Sequence, residues 1–276
     1  MYDDNFHPDH FHGQLTTPKL SNLLSTPFLS IVIPAYNEAR RLSTSLNQVS
    51  DYLRAQTYTA EVIVVENGSD DNTFQIAEDF ATRWNEKYQL QSPSIHILRE
   101  SMRGKGLAVK RGMLAARGEY RFMCDADFSM PVTEINRFLP PVLKDFDIAV
   151  ASREAPGAVR YNEPIYRHFV GRIFNAMIRI LALPGLHDTQ CGFKCFRASI
   201  ADELFSLQTI TGWSFDIEVL YIARNRDYRI VEIPIPWYFN PDSKISVLHD
   251  SYQMGLDLLR IRFNNRRGEY ASQNHP

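Results

Sequence analysis

Residues 28–34 have the sequence FLSIVIP, a short run of mostly branched apolar side chains that ends at a proline. Such a run is typical of a strand buried on both faces of a sheet. Between residues 42 and 53, apolar residues recur three and four positions apart, which predicts an amphipathic helix. A second buried strand is predicted at residues 61–66, EVIVVE. A strand, a helix and a strand in this order predict a βαβ unit with parallel strands.

The same alternation continues along the chain and extends the predicted sheet. A helix is predicted to follow the capping residues Asp70 and Asp71 and to end near residue 84. Further helices are predicted at 107–116, 132–143, 165–183, 215–226 and 248–263. Further strands are predicted at 95–98, 120–124, 148–152, 193–196 and 229–236. We therefore expect an α/β fold with a mostly parallel, doubly wound sheet in a single domain, residues 28–264. Flexible tails are expected at residues 1–27 and 265–276.

Polar residues follow three of the predicted strands at their carboxyl ends. They lie at residues 34–38, 66–71 and 125–127. In open α/β sheets, ligands bind outside the carboxyl ends of the strands. The sequence therefore predicts a binding site where these three segments meet.

The composition argues against several classes of protein. Among 276 residues, 30 basic and 32 acidic side chains give a net charge of −2, which argues against a nucleic-acid-binding protein. Three cysteines are too few for a disulfide framework and predict a reducing compartment. No apolar run approaches the roughly 20 residues of a membrane-spanning helix, and the polar first residues lack a signal-peptide core. We expect a cytoplasmic protein.

The triplet Asp125-Ala126-Asp127 directly follows a predicted strand. Two carboxylates at a strand end can reach a divalent cation, and Mg²⁺ or Mn²⁺ that carries a diphosphate prefers such oxygen ligands. An acidic pair in a loop is often only solvated or caps a helix, and this alternative stays open for the triplet taken alone.

Residues 103–106, RGKG, precede a predicted helix. Their two glycines expose backbone N–H groups near a helix N-terminus and two cations flank them, so this segment is a candidate anion site. It lacks the glycine spacing of a P-loop or of a dinucleotide fingerprint. A plain turn at the entry of the helix is the alternative.

Six short motifs occur in order along the chain. They are PAYNE at 34–38, ENGSDDNT at 66–73, RGKG at 103–106, DAD at 125–127, DTQCGFK at 188–194 and WSFDIEVL at 213–220. The first four resemble those of the family 2 glycosyltransferases with a GT-A fold. The last two, with Met254-Gly255, resemble the dolichyl-phosphate β-glucosyltransferase branch, relatives of dolichyl-phosphate mannose synthase. The resemblance extends from about residue 28 to residue 263.

The resemblance implies a nucleotide-sugar site. Tyr36 and Glu38 would hold the base and the ribose. Asp125 and Asp127 would bind Mg²⁺ or Mn²⁺ and the donor diphosphate, which gives Asp127 a catalytic role. The full set of nucleotide-sugar-binding residues would be Pro34, Tyr36, Glu38, Glu66, Asn67, Lys105, Asp125, Ala126 and Asp127.

The chain departs from the family pattern at three positions. Glu66 stands where the family usually has an aspartate that contacts the base, and Asn67 replaces a second acidic residue. These two departures leave the identity of the base open. Ser129 stands where the mannose synthases often have a glutamine as a further metal ligand, so water would complete the coordination shell.

Three arginines are candidates for binding phosphate. Arg153 ends a predicted strand, and Arg167 and Arg172 lie on the predicted helix 165–183. In the related mannose synthases, arginines at comparable places grip the donor diphosphate and the acceptor phosphate. The guanidinium group suits this task because it binds phosphate through two parallel hydrogen bonds. Exposed surface cations are the ordinary alternative.

Asp216 is the candidate catalytic base that the resemblance implies. A phosphate monoester has its second pKa near 6 and is already a nucleophile at neutral pH, so Asp216 would then orient the acceptor rather than deprotonate it. A carboxylate that stabilises a helix N-terminus is the alternative. We expect Glu218 to be structural, or else a neighbour in the acceptor site. We expect Cys191 and Cys195 to be buried, inert thiols.

The sequence thus predicts an inverting, metal-dependent glycosyltransferase. It would move a hexose, glucose from UDP-glucose in the first instance, to a polyprenyl or dolichyl phosphate. One alternative uses the same kind of donor, or GDP-mannose, with a hydroxyl acceptor on a saccharide, a protein or a small molecule. A second is a nucleotide-sugar-binding protein without turnover. The predicted helix 165–183 mixes apolar residues with arginines and is a candidate for peripheral membrane contact, with a core helix as the alternative.

Overall fold

The computed structural model describes residues 26–89, 93–164, 171–172, 175–180, 182–240 and 247–271. Most strands within these ranges belong to one central sheet. In chain order the strands are β1 Leu29–Ala35, β2 Ala60–Asn67, β3 Ser94–Glu100, β4 Tyr120–Cys124, β5 Ile148–Ser152, β6 Val159–Tyr161, β7 Phe193–Arg197, β8 Ile230–Pro234 and β9 Pro236–Tyr238.

The central sheet has the strand order β3-β2-β1-β4-β7-β5-β8 in the described part of the chain. Strands β3, β2, β1 and β4 pair in parallel, and so do β5 and β8. β7 is antiparallel to both of its neighbours, β4 and β5. β6 and β9 pair in parallel as a separate small sheet. The predicted α/β fold with a mostly parallel sheet is confirmed.

Helices cover both faces of the central sheet. They are α1 Leu42–Arg54, α2 Thr73–Tyr88, α3 Lys105–Ala115, α4 Ala198–Leu207, α5 Phe215–Asn225 and α6 Val247–Arg266, with a 3₁₀ helix at Val132–Phe138. Side chains alternate between the faces of a strand. In β1, Ile31 and Ile33 therefore pack on the face that contacts α1 and α2, whereas Val32 packs on the face that contacts α3 and α5.

Two predicted elements differ from the structure. The helix predicted at 132–143 is only a short 3₁₀ helix, because Pro140 and Pro141 follow it and a proline disfavours helical backbone at the residue before it. The strand predicted at 229–236 is divided between β8 and β9, which belong to different sheets. Of the helix predicted at 165–183, residues 171–172 and 175–180 are helical; 165–170, 173–174 and 181 lie outside the described residues.

Packing continues beyond residue 264 at the carboxyl end of the chain. α6 ends at Arg266, and the following Tyr270 is only 5% exposed. Its hydroxyl donates a hydrogen bond to the buried Glu218, at 2.7 Å. The segment expected to be a tail from residue 265 therefore includes at least one core side chain. Within the described ranges, no helix has both the length and the apolar character that crossing a bilayer requires.

Candidate active site

Most of the predicted site residues meet at the carboxyl edge of the central sheet. β2, β1 and β4 are neighbours and run in parallel, so the loops after them leave the sheet at the same edge. The antiparallel β7 begins at this edge, because its first residue, Phe193, pairs with Cys124 at the end of β4. The motif at 188–192 is thereby placed beside Asp125, whose N–H donates to the carbonyl oxygen of Gly192 at 3.1 Å.

The loops after β1 and β2 are joined by Asn37. This residue has a φ of +52°, a left-handed conformation that asparagine tolerates better than most residues. Its side-chain oxygen accepts a hydrogen bond from the N–H of Asp70 at 2.8 Å, and its own N–H donates to Ser69 Oγ at 3.0 Å. Two of the sequence motifs therefore form one rigid wall of the site.

Tyr36 lies on this wall beneath an arginine. The guanidinium carbon of Arg103 is 5.2 Å from the centre of the Tyr36 ring, and the same guanidinium is bound by the exposed carboxylate of Asp70 at 2.5 and 2.6 Å. Tyr36 and Pro34 are both partly buried. An aromatic face beneath a cation can stack with a planar ring such as a nucleobase.

Two predicted donor-site carboxylates have partners within the chain. Glu38 is buried and accepts a hydrogen bond from Arg41 Nη2 at 2.9 Å. Glu66 is 1% exposed and accepts one from the N–H of Ser69 at 2.5 Å, so it stabilises the turn between β2 and α2. Asn67 is also buried, at 3% exposed. Glu66 and Asn67 thus lie at the carboxyl end of β2 with buried side chains.

The triplet after β4 presents its two carboxylates at the edge of the sheet. The carbonyl oxygen of Ala126, which is itself buried, accepts a hydrogen bond from Ser45 Oγ at 2.6 Å, and this bond anchors the triplet to α1. Asp127 Oδ1 accepts one from the N–H of Ser129 at 3.0 Å. Burial, together with the neighbouring charge of Asp125, raises the pKa of Asp127. A bound cation would remove the repulsion between the two carboxylates.

Oxygen donors of this kind fit Mg²⁺ or Mn²⁺. Asp125 and Asp127 supply two carboxylates, and the described residues contain no cluster of three or more histidine, cysteine or acidic side chains placed to hold a metal. Two carboxylates alone leave most of an octahedral shell to water or to the oxygens of a ligand. The donor set therefore suits a cation that arrives with a diphosphate.

Lys105 lies between the acidic groups of the site. Its ammonium is 2.6 Å from Asp125 Oδ1 and 5.2 Å from the centre of the Trp213 ring. Burial acts to lower the pKa of Lys105, but the charges of Asp125, Asp216 and Asp127 outweigh it and the pKa is raised. The lysine is therefore a fixed cation on the same side of the sheet as the predicted donor diphosphate.

The glycines of the RGKG segment permit a close contact with the loop at 210–212. Gly104 has a φ of +151°, and a β-carbon built on it would lie 2.5 Å from the carbonyl oxygen of Thr211. One built on Gly106 would lie 2.7 Å from the carbonyl oxygen of Ile210. The N–H of Leu107 donates to Thr211 at 3.2 Å. These contacts favour a packed helix entry for the segment; the anion site stays a prediction.

Asp216 forms a buried ion pair that the sequence analysis missed. Lys194, in β7, donates to Asp216 Oδ1 at 2.6 Å and to the carbonyl oxygen of Cys191 at 2.6 Å, and the two side chains are 1% and 5% exposed. Burial raises the pKa of Asp216, and the charges of Lys194 and Lys105 oppose this effect. A lysine within the otherwise apolar strand FKCF was the signal that could have identified the partner.

Glu218 has the structural role that was expected. It is fully buried and accepts hydrogen bonds from the N–H of Thr209 at 3.0 Å, from the hydroxyl of Thr209 at 2.6 Å and from the N–H of Ile210 at 2.8 Å. The hydroxyl of Tyr270 donates a fourth at 2.7 Å. Glu218 thereby holds the loop that packs against Gly104 and Gly106.

The three candidate arginines have different surroundings. Arg153 forms a bidentate pair with the buried Asp188, at 2.6 and 2.9 Å, and its guanidinium carbon is 5.5 Å from the centre of the Trp237 ring. Arg172 is exposed. Arg167 lies outside the described residues. Arg153 is thus already paired with the carboxylate of Asp188. A phosphate that binds Arg153 would have to displace Asp188 or bind the guanidinium group together with it.

The three thiols of the chain are buried and unpaired with one another. Burial raises the pKa of Cys191 to about 12, and it also raises the pKa of Cys195. Because only a thiolate is a good nucleophile or metal ligand, these thiols are inert near neutral pH. The expected burial of Cys191 and Cys195 is confirmed.

Comparisons with known proteins identify the family of the chain. The family description "Glycosyl transferase family 2" matches residues 30–205. Dolichyl-phosphate beta-glucosyltransferase of Mus musculus is 34% identical over 257 residues, which cover 89% of this chain and 78% of that protein. The protein of the same name from Dictyostelium discoideum is 32% identical, with 88% of this chain and 76% of that protein covered.

Solved structures show a similar fold. Glucosyl-3-phosphoglycerate synthase from Mycobacterium tuberculosis, crystallised with Mn²⁺, UDP-glucose and phosphoglyceric acid, superposes with a TM-score of 0.61 at 18% identity. The superposition covers 85% of this chain and 79% of that one. The chain described here belongs to glycosyl transferase family 2, has the GT-A fold and is a glycosyltransferase.

Proposed function

We propose that this enzyme transfers glucose from UDP-glucose to a polyprenyl phosphate of the dolichyl type, with inversion at the anomeric carbon. One observation carries the proposal. The carboxylates of Asp125 and Asp127, which suit a metal-bound diphosphate, lie on the same side of the sheet as Asp216, with Lys105 between them. The names of the relatives at 32–34% identity support the choice of sugar and acceptor.

On the donor side, Tyr36 offers its ring to the base, and Asp125 and Asp127 would hold Mg²⁺ or Mn²⁺. When bound there, the cation would neutralise charge on the departing diphosphate. Lys105 adds a second positive charge beside the same carboxylates and stabilises the leaving group. Pro34, Glu38, Glu66, Asn67 and Ala126 shape the wall on which the nucleotide lies.

On the acceptor side, a phosphate oxygen attacks the anomeric carbon from the face opposite the nucleotide. The bond between that carbon and the diphosphate oxygen breaks, and UDP leaves with the bonding electrons. The acceptor is already an anion at neutral pH, so no base has to remove a proton. Asp216, fixed by Lys194, would orient the acceptor phosphate through the cations around it. We assign Arg153, Arg167 and Arg172 to contacts with the two phosphate-bearing substrates.

The test is a transfer assay with radiolabelled UDP-glucose, Mn²⁺ and a detergent-dispersed polyprenyl phosphate. We expect a chloroform-extractable product that is absent with EDTA. Asp127→Ala should lower the rate at least about a hundredfold, because the lost ligand acts when charge leaves on the diphosphate. A preference for GDP-mannose would overturn the donor assignment. Glucosylation of a soluble hydroxyl acceptor without any lipid product would overturn the acceptor assignment.

A further inference from the structure

Helix α6 carries large apolar side chains on the face that points away from the core. Leu256, Leu259 and Phe263 are 44%, 64% and 57% exposed. Their spacing of three and four residues places them on one stripe along the helix. On the opposite face, Leu258 and Ile261 are buried against the domain. The helix therefore has an apolar core face and a second apolar stripe directed at its surroundings.

Arginines flank the exposed stripe. At 3.6 residues per turn, Arg260 and Arg267 lie along one side of it, Arg262 lies along the other, and Arg266 continues it; all four are exposed. The guanidinium carbon of Arg267 is 5.2 Å from the centre of the Phe263 ring. We call these four arginines with Leu256, Leu259 and Phe263 the α6 outer face.

The α6 outer face is strongly cationic in a chain whose net charge is −2. The exposed Glu269 lies 3.9 Å from Arg267 and offsets part of the charge of that arginine. Between residues 256 and 267 the one acidic residue is Asp257. It is buried and accepts a hydrogen bond from Ser214 Oγ at 2.7 Å, so its charge is directed inward. An apolar stripe with arginines on both sides is the pattern of a helix that lies in a membrane interface, its apolar centre among the acyl chains and its guanidinium groups among the phosphates.

We propose that the α6 outer face docks on a bilayer that contains anionic phospholipids. Charge complementarity favours an anionic bilayer as the partner. The four arginines match its phosphate headgroups, and the three large apolar side chains match the acyl chains beneath them. The contact differs from the one predicted for residues 165–183 and uses another element of the fold.

Docking through α6 places a helix that borders the candidate active site against the membrane. Arg260 and Asp257 line a cavity of about 200 Å³ between α6 and the loop at 210–214. The same loop carries Trp213, whose ring lies 5.2 Å from the ammonium of Lys105. The benefit of this placement, access to a lipid-linked acceptor, rests on the proposed function, whereas the docking itself can be measured without any substrate.

The experiment is co-sedimentation of the full chain with vesicles of phosphatidylcholine, alone or mixed with phosphatidylserine, without donor, metal or acceptor. We expect binding to the mixed vesicles that weakens as salt is added. Leu259→Ser combined with Phe263→Ser should reduce binding at least about tenfold. Changing Arg260, Arg266 and Arg267 to glutamine should reduce it about fivefold per arginine and remove most of the salt dependence.

Matched controls are Val142→Ser and Arg83→Gln, exposed residues on other elements, which should bind vesicles like the parent protein. Thermal unfolding midpoints establish that each variant is folded. Equal binding to neutral and mixed vesicles, or binding that the α6 variants leave unchanged, would overturn the proposal. So would loss of binding in Ile180→Ser alone, which would assign the contact to the helical residues 175–180.

Two outcomes separate this proposal from the proposed function. If the protein binds vesicles through α6 but makes no glucosylated lipid, the docking stands and the acceptor assignment is wrong. If it glucosylates a detergent-dispersed polyprenyl phosphate but does not bind vesicles, the docking is wrong and the function stands. If the serine variants abolish self-association of the protein and vesicle binding is absent, the face is a contact between copies of the chain.

Discussion

At the scale of single residues, Gly192 leaves the space that the carboxylate of Asp125 occupies. A β-carbon built on Gly192 would lie 2.6 Å from Asp125 Oδ1 and closer still to Oδ2, so even alanine would displace the proposed metal ligand. We expect Gly192→Ala to lower the transfer rate at least about a hundredfold and to weaken Mn²⁺ binding in the presence of UDP. Gly255→Ala is the control, because open space surrounds Gly255; equal losses in both variants would contradict this role.

Lys194 is a second residue with a testable role, because its charge acts on the pKa of Asp216. It supplies the positive charge nearest to the buried carboxylate of Asp216, at 2.6 Å. Lys194→Met should raise the pKa of Asp216 further, because burial then lacks its main opposing charge. The ionised form of Asp216 would then require a higher pH, so the acid limb of the profile of kcat/KM against pH should move to higher pH. Lys144→Met, at an exposed lysine, should leave the profile in place; an unmoved profile in Lys194→Met would remove Asp216 from the mechanism.

At the scale of elements, Glu218 joins α5 to the loop at 209–210 and to the end of the chain. Its carboxylate accepts hydrogen bonds from Thr209, Ile210 and Tyr270 without contact with water. Glu218→Gln should lower the free energy of unfolding by at least about 2 kcal/mol, because an amide cannot accept on both arms and leaves buried donors unpaired.

Tyr270→Phe removes one of these donors and should cost about 1 kcal/mol. Urea unfolding of both variants and of the double variant measures the coupling. Costs that simply add would show that the two groups act independently and that the end of the chain does not secure the loop.

At the scale of the whole molecule, Asp188 connects β5, the segment before β7 and β8. It binds the side chain of Arg153, and its N–H donates to Glu232 at 2.9 Å. Burial acts to raise the pKa of Asp188, but the charge and hydrogen bonds of Arg153 outweigh it and lower the pKa from 3.8 to about 2. The ionised Asp188, paired with Arg153, therefore adds about 2 kcal/mol to the free energy of unfolding. This contribution is complete above about pH 4 and is lost as the pH falls towards 2.

We expect Asp188→Asn to lower the free energy of unfolding near pH 7 by about 3 kcal/mol, because it leaves Arg153 without its partner. The difference from the parent protein should narrow between pH 4 and pH 2, where the parent loses the same charge. Denaturant unfolding at several pH values measures this. Asp145→Asn, at an exposed carboxylate, serves as the control; a difference that does not depend on pH would assign the stability to packing instead of charge.

The sequence alone predicted the α/β fold and the family, and it placed the candidate site at the carboxyl edge of the sheet. Those features depend on local patterns. The apolar run at 28–34 and its repeat at 61–66 are short-range signals, and parallel strands must end at one edge once helices connect them. The Asp125-Ala126-Asp127 triplet could be placed because it immediately follows a strand. The helix predicted at 132–143 was wrong in length, because Pro140 and Pro141 end it early.

Only the tertiary structure determined which charges meet. Lys194 and Asp216 are 22 positions apart and Arg153 and Asp188 are 35 apart, and neither pair follows from helical or strand periodicity. Both depend on β7, which enters the sheet antiparallel between β4 and β5 and so brings residues 188–194 to the edge where β4 ends. A strand's apolar pattern is the same in either direction, so the sequence predicted that β7 is a strand but not its direction. The antiparallel direction of β7 places Lys194 beside Asp216, Gly192 beside Asp125 and Asp188 beside Arg153.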